Sequence, residues 1–75
     1  GEVGITLPPM AFLRAAPHLH AEPLRTLEAA SAVEIVEARD EWLLVRVGGG
    51  AEGWIEARDV GLFDRRRAYG APPAL

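Results

Sequence analysis

The stretch Trp42 to Ile55, WLLVRVGGGAEGWI, constrains the chain more than any other. Leu43, Val45 and Val47 alternate with Trp42, Leu44 and Arg46. That is the two-residue period of a half-buried strand. Gly48-Gly49-Gly50 follows and accepts the positive φ angles of a sharp reversal at little steric cost. Ala51 to Ile55 then returns as a second strand. Gly53 carries no side chain, so another piece of backbone or an aromatic ring can come close beside Trp54. The stretch predicts a β-hairpin, and the other segments must supply strands to pair with it.

They do so in order. Val3, Ile5 and Leu7 alternate with Gly4 and Thr6, which predicts a strand over 2–7. Pro8-Pro9 ends it, since proline removes a ladder donor. A second strand is expected at 11–14, with Leu13 inward, Arg14 outward and Phe12 on the side opposite Leu13. Ala15 to Glu22 has no period and contains Pro17; it predicts a loop. Pro23 to Glu28 predicts a strand with Leu24 and Leu27 buried, their spacing of three implying a bulge. A helix over 22–32 is the competing reading, because Leu, Glu and Ala favour helix. Ala32 to Ala38 alternates as a strand, and Arg39-Asp40-Glu41 turns the chain into Trp42. A single 3-10 turn is expected at 56–59 and a last short strand at Val60–Leu62. The sum is an all-β chain of five to seven short strands, which curls into a small barrel to limit its free edges.

Seventy-five residues allow one domain with a thin core. The organisation expected is a folded unit over 1–63 and a loose tail or linker over 64–75, where Arg65-Arg66-Arg67 precedes a Pro- and Ala-rich end. The chain opens on Gly1 and not on methionine, which predicts a piece of a longer protein.

Composition then removes whole classes of function. With no cysteine, disulfides, Cys-based zinc sites and a Cys nucleophile are excluded. Ser31 is the only serine and lacks the Gly-x-Ser-x-Gly setting of a nucleophile elbow. The carboxylates scatter over turns and outer faces, with no paired general acid and base. No enzyme, cofactor or metal is expected. The formal charge of −3, with no lysine among the basic residues, argues against a nucleic-acid partner. No apolar run approaches the roughly 20 residues that cross a bilayer, so no membrane insertion by this segment is expected.

Taken together, several short motifs resemble the bacterial SH3-like domains. Leu13-Arg14-Ala15-Ala16-Pro17, Thr26-Leu27, Val33-Glu34-Ile35, Glu41-Trp42-Leu43-Leu44-Val45, Gly48-Gly49-Gly50 and Gly53-Trp54-Ile55 follow that family's pattern in order, over about residues 3–62. Ala16 and Ala30 stand where the family has glycine, and Leu44 where a polar residue is common. The resemblance implies a small SH3-like barrel that binds rather than catalyses. It also implies a targeting module of a larger bacterial protein, attached to the cell envelope and holding peptidoglycan or a protein partner. The alternative is a scaffolding domain that packs against other domains of its parent chain through Leu44, Phe63 and Tyr69.

By similarity to the wider SH3 fold, Trp42 stands at the edge of a peptide groove and Trp54 takes the place of a groove aromatic. The aromatic A-L-Y-D-Y motif is replaced by Phe12-Leu13-Arg14-Ala15-Ala16, and Glu56 and Asp59 stand where proline-peptide binders carry Pro and Tyr. That argues against stacking on Pro-rich peptides. The candidate binding residues are therefore Arg14, His18, His20, Trp42 and Trp54. Each also has a structural reading. The tryptophans can cap the core. The histidines, two residues apart, could share a metal in an extended loop, but they lack a nearby third ligand and can be exposed loop residues. Arg14 can pin its loop by pairing with Glu22 or Asp59.

Overall fold

The computed structural model describes residues 2–62. The expected tail over 64–75, with Arg65-Arg66-Arg67 and Tyr69, lies outside the described residues, as does Phe63. Seven strands run β1 (Glu2–Thr6), β2 (Met10–Arg14), β3 (Pro23–Glu28), β4 (Ala32–Arg39), β5 (Trp42–Arg46), β6 (Glu52–Glu56) and β7 (Val60–Leu62). They form one antiparallel sheet in the order β3-β2-β6-β5-β4-β1-β7. Two 3-10 turns, Gly48–Gly50 and Ala57–Asp59, lie on either side of β6. The segment 23–28 is strand and not helix, because Pro23 and β2 fix it as the second arm of a hairpin.

The sheet is rolled up on itself. Leu27 of β3 and Val60 of β7 come from its opposite ends, yet share one core with Ala11, Leu13, Val33, Val45, Val47 and Ile55. Leu13, Val33, Val45 and Ile55 are essentially inaccessible. Burying each such side chain contributes about 1.5–3 kcal/mol, so these four carry much of a thin core.

The central hairpin forms as its alternation requires. Leu43 and Val45 face the core opposite Ile55 and Gly53, while Leu44 and Arg46 face outward opposite Trp54 and Glu52. The reversal is a 3-10 turn in which Gly49 and Gly50 have φ of +88° and +89°. Outside, Arg46 bridges three strands. It donates to Glu52 at 2.6 and 2.9 Å and to Glu34 at 3.1 Å. Those two carboxylates, Glu52 foremost, hold its guanidinium above the usual arginine range.

Three apolar side chains expected or able to be inside are not. Leu24 is 52% exposed, a correction to its expected burial. The bulge is present, with Leu13 paired to Arg25 and Arg14 to Pro23, so Leu24 is the extra residue and is pushed out of the pleat. Val3 and Ile5 of β1 also face outward, and the small Gly4 and Thr6 face in. A Cβ on Gly4 would stand 2.6 Å from Val60 Cγ1, so the inner position has no room for a side chain. Thr6 is buried because its hydroxyl donates to the Glu28 carbonyl at 2.6 Å and accepts from the Ser31 amide at 2.9 Å.

The turn after β3 shows why a glycine suits it. Ala30 has φ of +63°, a left-handed conformation that its Cβ disfavours. Its amide donates to the Thr6 carbonyl at 2.8 Å, which locks it there. Ala30→Gly is therefore expected to stabilise the domain by about 0.5–1 kcal/mol, a rise of a few degrees in Tm. Thermal denaturation followed by circular dichroism checks this; a lower Tm would contradict the strain at this turn.

Candidate functional site

Three segments distant in the chain meet on one side of the barrel. The first is the β2–β3 loop, residues 15–22. It is held at its base by the Ala15 amide, which donates to the Glu22 carbonyl at 2.9 Å. Inside it the Ala21 amide donates to the His18 carbonyl at 3.1 Å, and Ala21 is buried. The second is the two-residue turn Asp40-Glu41 between β4 and β5. Asp40 has φ of +54°, a conformation Asp tolerates better than most residues. The third is the start of the 3-10 turn after β6. The Ala57 amide donates to the Glu41 carbonyl at 2.8 Å, so the second and third segments are tied together.

Between them lies an open concavity of about 540 Å³ lined by Leu19, Asp40, Glu41, Glu56, Ala57 and Arg58. Leu19 is 57% exposed at the tip of its hydrogen-bonded loop. Arg58 lies 3.2 Å from Glu56. No cation among the described residues pairs with Asp40 or Glu41.

The residues proposed from sequence divide into two groups. His18 and His20 are exposed on either side of Leu19. Trp42 is half-buried, follows Glu41 and pairs across the ladder with Glu56, so it stands beside the concavity without lining it. Trp54 and Arg14 pair with each other across β6 and β2 and are held by protein groups. Trp54 faces outward, opposite to the core residue Ile55, yet is only 9% exposed. The Arg39 guanidinium lies over its ring at 4.9 Å. Glu37 holds Arg39 in turn at 2.8 Å. Arg14 does not pair with Glu22 or Asp59. Its guanidinium donates to the Ala21 carbonyl at 3.0 Å and lies 5.2 Å from the Phe12 ring, so it braces the loop by a carbonyl and not a carboxylate.

Asp40, Glu41, Ala57 and Arg58 were not anticipated as site residues. They are turn residues of two separate stretches of sequence, and the β5–β6 ladder, through Trp42 with Glu56 and the backbone bond from Ala57 to Glu41, brings them together. Glu56 had one signal: it replaces the Pro of the proline-peptide binders. Chemically the arrangement can bind. Its charged groups lie at the surface, and no buried side-chain polar atom among the described residues lacks a hydrogen-bond partner. No group of three or more His, Asp or Glu side chains among the described residues is placed to hold a metal ion.

The model of the bacterial SH3 domain family matches residues 8–61, and the chain belongs to that family. The match runs from just before β2 to within β7 and so includes all three walls of the concavity. Domains of this type are generally non-catalytic binding modules. No curated protein and no solved structure matches the chain significantly.

The two tryptophans differ in a way that denaturation reads. Trp54→Ala removes a covered ring and leaves Arg39 without its platform, and is expected to cost about 3–5 kcal/mol. Trp42→Ala removes a half-exposed ring and is expected to cost less than half as much. Equal melting temperatures for the two variants would contradict this account of Trp54.

Proposed function

We propose that this domain is a non-catalytic binding and targeting module of a larger, envelope-associated bacterial protein. Its ligand, a peptidoglycan fragment or a segment of a protein partner, occupies the concavity between the β2–β3 loop, the Asp40-Glu41 turn and the Ala57–Asp59 turn. One observation carries this reading. Leu19 is an exposed, large apolar side chain on a loop whose backbone is fixed by its own hydrogen bonds. A fixed loop loses little conformational entropy on binding, so an apolar anchor there adds affinity at low cost. Trp42, His18 and His20 stand around the same opening and supply further contact. Arg14 and Trp54 serve as supports: one braces the loop, the other anchors the outer face of β6.

A second reading has its own observation. Val3, Ile5 and Leu7 make an exposed apolar strip along and just past β1, on the far side of β4. Such a strip suits a scaffolding domain that packs against the rest of its parent chain without a ligand of its own.

Amide NMR of the labelled domain titrated with soluble peptidoglycan fragments, and then with the neighbouring domain of the parent chain, separates the two. Binding in the concavity predicts shifts clustered at residues 15–22, 40–42 and 56–58. Leu19→Ala is expected to weaken them severalfold with no change in Tm, as an exposed anchor should. Shifts confined to β1, or none at millimolar concentrations of either addition, would overturn the concavity as the ligand site.

A further inference from the structure

We propose that the concavity selects a cationic ligand. It takes an extended protein segment that sets an arginine or lysine side chain against Asp40 and Glu41 and an apolar side chain against Leu19. This rests on the reading of the concavity as the ligand site and names the chemistry of what enters it.

Charge carries the argument. Three of the four charged residues lining the concavity are carboxylates. The fourth, Arg58, is matched by Glu56 at 3.2 Å, which leaves Asp40 and Glu41 without a described counter-charge. The other four arginines of residues 2–62 are engaged elsewhere, on carbonyls or on carboxylates away from the opening. Those residues hold ten of the chain's eleven carboxylates and only five of its eight arginines. Among the described residues the charge around the opening is therefore negative, which attracts cations and repels anions as they approach.

The geometry adds specificity. The backbone bond from the Ala57 amide to the Glu41 carbonyl fixes the acidic turn against the 3-10 turn before any ligand arrives. Leu19 lines the same opening as that acidic turn. A ligand that satisfies both sides has a charge and an apolar group within a few ångströms of each other, as adjacent or alternate residues of an extended peptide do. Peptidoglycan stem peptides carry the amine of a diamino acid beside more numerous free carboxylates, so their net charge is negative and the same field favours them less than a basic segment. Of the two ligand sources in the functional proposal, the charge thus favours a basic protein segment.

The test uses the labelled 75-residue chain. It is titrated with three blocked heptapeptides on one alanine–leucine frame, carrying two arginines, two citrullines or two glutamates, and with soluble muropeptides. The arginine peptide is expected to shift the amides of Leu19, Asp40, Glu41 and residues 56–58, and to bind about fivefold more tightly than the citrulline peptide at low salt. That advantage is expected to vanish near about 0.5 M salt. Asp40→Asn combined with Glu41→Gln keeps a residue tolerant of positive φ at position 40, and is expected to equalise the two peptides without lowering Tm. Equal binding of the arginine and citrulline peptides, or tighter binding of muropeptides at the same amides, overturns the cationic selectivity and leaves the concavity as the ligand site. If none of the four ligands moves these amides, both proposals fall.

Discussion

The fold turns on one close approach. The β2–β3 hairpin joins the remaining strands of the sheet through a single residue pair, Arg14 with Trp54. At that crossing a Cβ on Gly53 would stand 2.6 Å from Leu13 Cγ and 3.0 Å from the Arg14 carbonyl oxygen. Leu13 is fully buried, so it has nowhere to retreat. The absent side chain of Gly53 lets β2 lie against β6, and this lets Leu13, Ala11 and Leu27 enter the same core as Val45 and Ile55. Packing at interior density leaves no slack for an added methyl group.

The site follows from that crossing. Arg14, the next residue along β2, reaches into the following loop: it holds the Ala21 carbonyl and so fixes the loop that presents Leu19. On the other side of the crossing, Trp54 fills the outer face of β6 beneath Arg39. Two residues further, Glu56 lies opposite Trp42 and begins the wall of the concavity. A core contact, a braced loop and a charged opening therefore occupy successive positions along two strands.

The strands were legible in the sequence because alternation reports its period directly. The hairpin from Trp42 to Ile55 and the burial of Leu13 follow from it. The bulge in β3 is present, but not by the burial of both Leu24 and Leu27 from which it was expected, since Leu24 is the extra residue and is exposed. Alternation does not report which phase faces inward. In β1 the apolar Val3 and Ile5 face out because Gly4 meets the Val60 side chain and Thr6 finds hydrogen bonds inside. A bulge also shifts phase without a local mark. In β4 Ile35 pairs with Val45 and Glu37 with Leu44, so Val36 is the extra residue. That slip moves Glu37 and Arg39 to the outer face, where Arg39 covers Trp54. The burial of Trp54 thus depends on a register that its own neighbours do not encode. The candidate site was half legible for the same reason. The loop histidines and Trp42 stood out by residue type, whereas Asp40, Glu41 and Arg58 read only as turn residues until the backbone joined their segments.

The most direct test of this account is the stability and loop geometry of Gly53→Ala, by thermal denaturation and amide NMR. The crossing predicts a loss of about 1–3 kcal/mol from overpacking. It also predicts shift changes that extend from Leu13 and Arg14 into residues 15–22, because the loop is braced from the strand that must move. A Tm equal to that of the parent chain, with the loop amides undisturbed, would contradict it.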